Sequence, residues 1–317
     1  MLSEAFLASL RSLRLHSPRR RVGSTTGERR SIKRGRSVEF ADYRNYTPGD
    51  DPRRVDWNVY ARLERPYIKL FEDEEDLTTH LLVDTSPSMH WRDEDEEVTS
   101  SKWQRIAELV TALGYVTLAS GDKLIVEANN GQRYGPKRSG AAMADLVKFV
   151  EQLSTPQSPN SPNSPNSPNL QSLNLQRSTA NAQRSTLNTW LKRYALDARP
   201  GLCILISDML DEHGYADGLN ALGSARLDVN VLHTLCPAEL DPSFVGDLKL
   251  KDIETAAVQD MSMDDVALNQ YRDRLETWTS EIAAFCRKRG GKYHRTDTSL
   301  PIEQILLRDL RKEEWLI

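Results

Sequence analysis

Cysteine is scarce in this sequence: Cys203, Cys236 and Cys286 are the three cysteines in 317 residues, and they are widely spaced. An odd number of distant cysteines argues against a disulfide framework, and the lack of Cys-x-x-Cys or Cys/His ligand spacing argues against a zinc site. Such cysteine usage is typical of a reducing compartment. We therefore expect a cytoplasmic protein.

Long apolar runs are lacking too. No run approaches the ~20 residues that a membrane-spanning helix needs, and Ser and Arg interrupt the apolar residues near the N-terminus, unlike the core of a signal peptide. Neither a Gly-x-x-x-x-Gly-Lys-Ser/Thr motif nor a strand-linked Gly-x-Gly-x-x-Gly motif occurs. These absences predict a protein that does not insert into membranes and that relies on a partner for nucleotide chemistry.

Net charge is low, formally −4, with 38% hydrophobic and 28% charged residues, as in soluble globular proteins. Basic residues gather near the N-terminus, where Arg19, Arg20 and Arg21 follow one another. That run could contact phosphate, but no aromatic residues lie between the arginines to stack on bases. We interpret residues 1–37 as a basic, partly flexible arm, and we expect no nucleic-acid binding.

Short apolar, strand-like runs alternate with helix-like patterns along most of the chain. The strand-like runs are residues 67–71, 79–83, 123–127, 202–206, 229–233 and 292–294. This alternation predicts an α/β fold, with a doubly wound, mostly parallel sheet, helices on both of its faces and an N-terminal extension.

One segment departs from this alternation, because residues 158–169 are four copies of Ser-Pro-Asn. Three-residue repeats that contain proline and no apolar residue cannot contribute to a packed core. We predict a disordered insertion at about 156–184 that interrupts a domain spanning residues 77–317.

Residues 38–76 mix aromatic side chains with both signs of charge around a turn-rich centre. We expect this segment to pack on the core. Its charged and aromatic side chains form either a buried salt-bridge and hydrogen-bond network that fastens the arm to the sheet, which we favour, or a surface that a partner grips. The side chains concerned are Arg44, Asp50, Asp51, Arg53, Arg54, Asp56 and Trp57.

Residues 84–88 read Asp-Thr-Ser-Pro-Ser and directly follow a strand-like run. In an open α/β sheet, ligands bind beyond the carboxyl ends of the strands, near the point where the strand order reverses. Asp84, Ser86 and Ser88 offer one carboxylate and two hydroxyls, which are oxygen ligands that suit Mg²⁺ or Mn²⁺. A helix-capping turn is the alternative interpretation.

Two later positions favour the metal interpretation. Asp208 lies at the end of another buried strand-like run, and Thr186 stands immediately before a helix-like segment. Thr179 is an alternative to Thr186, because Gln-Arg-Ser-Thr occurs twice in this region.

The pattern Asp84-x-Ser86-x-Ser88, followed later by Thr186 and Asp208, resembles the metal-ion-dependent adhesion site of von Willebrand factor A domains. The resemblance implies that these five residues bind one Mg²⁺ or Mn²⁺.

Two longer segments of the sequence indicate a more specific family. Residues 34–57, with Arg-Gly-Arg-Ser-Val-Glu-Phe-Ala-Asp-Tyr-Arg and Pro-Gly-Asp-Asp-Pro-Arg-Arg-Val-Asp-Trp, and residues 240–255 resemble the domain of unknown function 58 family. The resemblance covers about residues 20–315 apart from the insertion. It implies a von Willebrand factor A-like fold and work alongside a MoxR-type AAA+ ATPase in assembling or maturing other proteins. Met209 departs from the pattern, since many adhesion-site domains have glycine after the last Asp.

We therefore predict a non-catalytic, metal-dependent module that binds a MoxR-type AAA+ ATPase and a client protein. The alternative is a metal-dependent hydrolase that uses Asp84 or Ser86. Position 86 is Ser where aspartyl-phosphate enzymes need a second Asp, and the flanking glycines of a Gly-x-Ser-x-Gly hydrolase are missing. His80 and His90 flank the loop, but an isolated histidine is more often structural or solvated than a catalytic base.

Overall fold

The computed structural model describes seven stretches of the chain: residues 2–17, 39–72, 77–90, 102–153, 186–242, 246–251 and 258–317. The insertion predicted at about 156–184 and the arginine run at 19–21 lie outside these described residues. Contacts divide the chain into two compact units, a larger one of residues 1–17 with 77–317 and a smaller one of residues 18–76.

The described part of the chain contains helices and strands in alternation. Its helices are α1 (Glu4–Leu10), α2 (Trp57–Leu63), α3 (Lys102–Ala119), α4 (Met143–Leu153), α5 (Leu187–Asp197), α6 (Ala216–Ser224), α7 (Pro237–Leu240) and α8 (Asp265–Lys288), followed by a π-helix (Gln304–Leu310). Its strands are β1 (Glu39–Asn45), β2 (Tyr67–Glu72), β3 (Thr78–Val83), β4 (Lys123–Ala128), β5 (Arg133–Lys137), β6 (Gly201–Ser207), β7 (Leu227–Leu235), β8 (Gly246–Lys251), β9 (Val258–Met263) and β10 (Tyr293–Asp297). None of the helices in these stretches is both long and apolar enough to cross a lipid bilayer.

Among the described residues, six strands form one central sheet in the order β10-β7-β6-β3-β4-β5. Neighbouring strands run parallel except β5, which is antiparallel to β4. After β3 the chain builds outward to β4 and β5, and it then returns to the other side of β3 to add β6, β7 and β10. The order therefore reverses between β3 and β6, where diverging connections leave room for a ligand.

Both faces of the sheet are buried. Leu81 and Val83 of β3 join one apolar core, which α1, α3, α4 and the π-helix cover. Leu82, between them, points to the opposite core beneath α5, α6 and α8. This alternation of side chains across a doubly covered sheet explains why the central strands read as continuous apolar runs. The mixed α/β architecture with a mostly parallel central sheet is confirmed.

The predicted strand-like runs coincide with β2, β3, β4, β6, β7 and β10. Four strands, β1, β5, β8 and β9, carry no such apolar signal. The edge strand β5 shows the reason, because it contains Gly135 and Pro136 and three of its five residues are exposed. Proline has no N–H to donate to a neighbouring strand, so it is tolerated at the edge of a sheet. Because glycine and proline are not typical of strands, the sequence of β5 does not predict one.

The first residues of the predicted arm pack on the larger unit instead of standing free. Phe6 and Leu10 of α1 are buried in the core beside α3. Leu15 pairs with Leu316 in an antiparallel bridge, which joins the two ends of the chain. Residues 2–17 are therefore a structural part of the fold, and an amphipathic spacing of apolar residues is the signal for it.

The smaller unit is built on the antiparallel pair β1 and β2. Arg44 donates two hydrogen bonds to Asp50, at 2.9 and 2.8 Å, and this guanidinium holds the pKa of Asp50 well below its usual range. Asp56 caps α2 and accepts a hydrogen bond from the Tyr43 hydroxyl at 3.0 Å. These contacts form a local network, but the Arg44–Asp50 hydrogen bonds are exposed and not buried as predicted, and Trp57 exposes 61% of its surface.

The packing of α1 gives a stability prediction. Leu10 is fully buried, so Leu10→Ala removes apolar contacts and leaves a cavity, and we expect it to lower the free energy of unfolding by about 2–5 kcal/mol. Leu196→Ala is the matched control, because Leu196 is 83% exposed and its truncation should cost less than about 0.5 kcal/mol. Chemical denaturation measures both. Equal small effects would contradict the described packing of α1.

Candidate functional site

The loops after β3 and β6 meet at the reversal point of the sheet. The backbone N–H of Asp84 donates to the carbonyl of Ile206 at 2.9 Å, which continues the parallel pairing beyond the last residue of β3. The Ser207 hydroxyl donates to Oδ2 of Asp84 at 2.8 Å. The structure therefore brings the predicted Asp84 loop against the strand end that carries Asp208.

Neutral donors fix the Asp84 carboxylate. Its Oδ1 accepts hydrogen bonds from the backbone N–H of Ser86 at 2.9 Å and from Nδ2 of Asn129 at 2.7 Å. Oδ1 of Asn129 in turn accepts from the backbone N–H of Thr85 at 3.1 Å and from its hydroxyl at 2.5 Å. Asn129 follows β4, the neighbouring strand, so its role depends on sheet order and is not visible in the sequence.

The two predicted serines lie side by side. Ser88 belongs to a 3₁₀ helix (Pro87–His90), and this tight turn brings the Ser86 and Ser88 hydroxyl oxygens to 2.9 Å from each other. Ser88 is buried, whereas Ser86 is partly exposed. Asp84, Ser86 and Ser88 thus present neighbouring oxygen atoms at one strand end.

Asp208 is buried and bound to a lysine. Lys102, the first residue of α3, donates from Nζ to Oδ2 of Asp208 at 2.9 Å and to Oε1 of Glu239 at 2.8 Å. The Lys102 side chain is fully buried, and the two carboxylates raise its pKa against the opposing effect of burial. Sequence reasoning missed Lys102 and Glu239, since 106 residues separate the lysine from Asp208.

The loop after Asp208 takes a strained course. Met209 has a φ of 59°, a left-handed conformation that costs a non-glycine residue roughly 1–2 kcal/mol. The Met209 side chain is buried in the core beneath α5 and its backbone N–H donates to the Ser207 hydroxyl at 2.9 Å. The residue that departs from the adhesion-site pattern therefore keeps the glycine-like backbone and adds apolar packing.

A buried histidine supports the same loop. Nε2 of His233 lies 2.9 Å from the carbonyl oxygen of Asp208, and its Nδ1 lies 2.8 Å from the Tyr293 hydroxyl. A carbonyl can only accept, so Nε2 carries the proton and Nδ1 accepts from tyrosine. Burial lowers the pKa of His233 to about 4, which keeps the ring neutral in this role.

Thr186 lies at the start of α5, as predicted. Its hydroxyl accepts a hydrogen bond from the backbone N–H of Thr189 at 3.2 Å and so caps the helix. Asp211, three residues after Asp208, accepts a hydrogen bond from the backbone N–H of Leu187 at 2.5 Å. This contact ties the start of α5 to the loop that follows β6. Ligation of a metal by Thr186 stays a prediction, and Thr179 lies outside the described residues.

The electrostatics of the site are dominated by buried negative charge. Burial, and secondarily the nearby Asp208 carboxylate, raise the pKa of Asp84 to about 6. Lys102 is shared between Asp208 and Glu239, so its one ammonium does not fully balance the negative charge of these carboxylates and Asp84. Oxygen ligands with uncompensated negative charge are the environment that a small divalent cation requires.

Few of the candidate metal ligands carry a charge. Within the described stretches, no group of three or more His, Cys, Asp and Glu side chains is placed to hold a metal. Two carboxylates and two hydroxyls nevertheless fit Mg²⁺ or Mn²⁺, which accept neutral oxygen ligands and retain water.

The flanking histidines have other partners. Nδ1 of His80 lies 2.5 Å from the Tyr194 hydroxyl, and burial lowers the pKa of His80 to about 4. His90 stacks on Trp103, with 4.4 Å between the ring centroids. Both rings are engaged in packing or hydrogen bonding within the fold.

Comparison with known proteins gives a family and several relatives. The family described as "Protein of unknown function DUF58" matches residues 42–281. "Uncharacterized protein Rv1480" of Mycobacterium tuberculosis and "Uncharacterized protein Mb1516" of Mycobacterium bovis are each 24% identical over 283 residues, which is 88% of this chain and 81% of each relative.

Two solved structures are similar at low TM-scores. The conserved hypothetical protein BatB from Bacteroides thetaiotaomicron has a TM-score of 0.40 and 14% identity, covering 75% of this chain and 98% of that one. An aerotolerance-related membrane protein from Bacteroides fragilis has a TM-score of 0.41 and 16% identity, covering 74% of this chain and 99% of that one.

The buried charge of Asp84 gives a pH-dependent prediction for metal-free protein. Asp84→Asn removes the charge, and its amide oxygen still accepts from Ser86 and Asn129, while its NH₂ reverses the third hydrogen bond by donating to the Ser207 hydroxyl. At pH 7 the substitution should raise the free energy of unfolding by about 1–3 kcal/mol, since one pKa unit corresponds to roughly 1.4 kcal/mol.

The sign follows from linkage. The folded-state pKa of Asp84, about 6, lies above the ordinary 3.8, so the native protein loses stability as pH rises through this interval. The advantage of Asp84→Asn should therefore disappear below about pH 4. Urea denaturation in the presence of a chelator at pH 4 and pH 7 measures the difference in the free energy of unfolding between Asp84→Asn and the parent. Asp217→Asn is the control, because the Asp217 side chain on α6 is exposed. An identical difference at both pH values would contradict the assignment.

Proposed function

Because the chain belongs to the family described as "Protein of unknown function DUF58", whose description assigns no activity, we propose a function from its own site. The chain is a non-catalytic, von Willebrand factor A-like module that binds protein partners through one Mg²⁺ or Mn²⁺. It acts as an adaptor that works with a MoxR-type AAA+ ATPase in the assembly or maturation of client proteins.

One observation carries the metal-binding part of this proposal. The Asp84 and Asp208 carboxylates lie at adjacent strand ends on either side of the reversal point, with the Ser86 and Ser88 hydroxyls beside them. Burial, and secondarily the nearby Asp208 carboxylate, raise the pKa of Asp84, and a divalent cation offsets that cost. Asp84, Ser86, Ser88 and Asp208 would hold the cation, with Thr186 as the further hydroxyl.

The cation supplies a Lewis-acidic coordination position at the protein surface. Few of its ligands carry charge, so the bound cation keeps an affinity for a further anionic oxygen ligand. A carboxylate from a partner protein is such a ligand. Partly exposed Ser86 marks the side from which that carboxylate reaches the site.

A binding role accounts for the site better than hydrolysis does. Asp84 accepts three hydrogen bonds from neutral donors, which hold its carboxylate in place. His80 is bonded to Tyr194 and His90 stacks on Trp103, so both histidines have structural roles. A hydrolase needs a base within reach of its nucleophile, and these partners direct both histidines elsewhere.

The ATPase part of the proposal rests on the resemblance of residues 34–57 and 240–255 to this family. The family match spans residues 42–281, which include most of residues 34–57 and the whole candidate site. The sequence has no nucleotide-binding loop of its own, so an adaptor of this kind acts on an ATPase rather than as one.

Cation titration tests the metal-binding half. Isothermal titration of Mg²⁺ and Mn²⁺ into chelator-stripped protein should give one site, and the Asp84→Ala/Ser86→Ala double variant should abolish it by removing two ligands. Asp217→Ala/Ser224→Ala on α6 is the matched control, since both side chains are exposed, and it should bind as the parent does. If the parent binds neither cation, the result contradicts the proposed metal-dependent mechanism.

Partner capture tests the adaptor half. Immobilised protein should retain a MoxR-type AAA+ ATPase, or a client protein, in Mg²⁺ and release it in chelator. The Asp84→Ala/Ser86→Ala variant should retain neither. Capture that is equal in Mg²⁺, in chelator and with the variant would place the partner surface elsewhere on the chain and contradict metal-dependent adhesion.

A further inference from the structure

We propose that Lys102 is a resident counter-cation of the metal site: its ammonium shares Asp208 with the divalent cation and thereby limits how tightly that cation binds. Glu239 is the second anchor of this lysine and opposes the effect by neutralising its charge. The inference rests on the proposed function, since it concerns the affinity of the same site.

The geometry of Lys102 carries the first step. Its side chain is fully buried, and Nζ lies 2.9 Å from Oδ2 of Asp208 and 2.8 Å from Oε1 of Glu239. Oδ1 of Asp208 accepts from the backbone N–H of Leu210 at 3.2 Å. One oxygen of the predicted ligand is therefore bonded to a fixed positive charge, and a cation approaching Asp208 meets the electrostatic repulsion of that charge.

The second step is that Glu239 is held in place independently. Its Oε2 accepts a hydrogen bond from the backbone N–H of Cys236 at 2.7 Å, which caps the short helix α7. The Tyr271 hydroxyl of α8 donates to the Glu239 carbonyl at 2.6 Å. Glu239 is thus a prepositioned carboxylate on which Lys102 can remain when Asp208 turns to a cation.

The charges predict the direction of each effect. Asp84, Asp208 and Glu239 carry three negative charges against one positive charge on Lys102, so two negative charges are left for a divalent cation to balance. Removing Lys102 increases that excess, whereas removing the Glu239 charge decreases it. A charge within 4–6 Å changes a neighbouring ionisation equilibrium by about tenfold to a thousandfold.

The test is calorimetric titration of Mg²⁺ and Mn²⁺ into the full chain and two variants. Lys102→Met keeps the length of the side chain and removes the charge, and we expect it to bind the cation at least about tenfold more tightly than the parent. Glu239→Gln keeps one of the two oxygens that accept from Lys102 and from the Cys236 N–H, and it leaves Lys102 with Asp208 as its one charged partner, so we expect severalfold weaker binding.

A thermal readout separates this role from a merely structural one. Without metal, Lys102→Met leaves buried Asp208 and partly exposed Glu239 without a cation and should lower the melting temperature. Saturating Mg²⁺ should restore more stability to this variant than to the parent. Lys192→Met is the control, because its exposed ammonium pairs with Asp217, and it should change neither affinity nor the Mg²⁺ response.

The outcomes are distinguishable. Opposite shifts in affinity for Lys102→Met and Glu239→Gln support the inference, and weaker or unchanged binding by Lys102→Met overturns it. If Lys102→Met does not fold, Glu239→Gln decides, since unchanged or tighter binding overturns the inference. If neither the parent nor Lys102→Met binds a cation, the proposed function fails and this inference fails with it.

Discussion

The burial of Asp84 beside Asp208 is the constraint on which the candidate site depends. An ionised carboxylate that is taken out of water needs compensating charge or strong hydrogen bonds. Asp84 receives hydrogen bonds from Ser86, Asn129 and Ser207, all of them neutral donors, and its pKa rises to about 6. The fold thus tolerates an unfavourable buried charge at Asp84, and groups with strongly shifted pKa values are concentrated at functional sites.

The architecture of the sheet concentrates that charge. Parallel strands end at the same edge, and the reversal of strand order between β3 and β6 brings the two loops together there. Apolar cores on both faces hold the strands rigidly, so the loop residues need little freedom to keep their positions. Asn129 after β4 and His233 near the end of β7 then support the Asp84 and Asp208 loops from neighbouring strands.

Much of this fold was predictable from local patterns. The central strands are apolar because both sheet faces are covered, and the strand-end position of Asp84 and Asp208 follows from their place after such runs. The edge strand β5, the strand β1 and the pair β8–β9 escaped prediction, since strands outside the interior of the sheet are not selected for continuous apolar side chains.

The supporting residues of the site were not predictable. Lys102 begins an ordinary helix, and only the tertiary structure brings it to Asp208 and Glu239. Met209 shows that a residue can depart from the sequence pattern while the backbone keeps the expected conformation. Its identity departs from the glycine of the adhesion-site pattern, yet the backbone keeps a φ of 59°, because the fold imposes the turn and the buried side chain offsets strain. A sequence pattern indicates the candidate ligands of such a site, whereas sheet order and helix placement determine which residues position them.

The most direct measurement is a crystal structure of the protein with Mn²⁺, using anomalous scattering to locate the metal. We expect one anomalous peak beside the Ser86 and Ser88 hydroxyls, between Asp84 and Asp208, at ligand distances of about 2.0–2.3 Å. Crystals of Asp84→Ala/Ser86→Ala should lack this peak. Fully occupied Mn²⁺ at another site in the parent protein, with none at this strand end, would contradict the account.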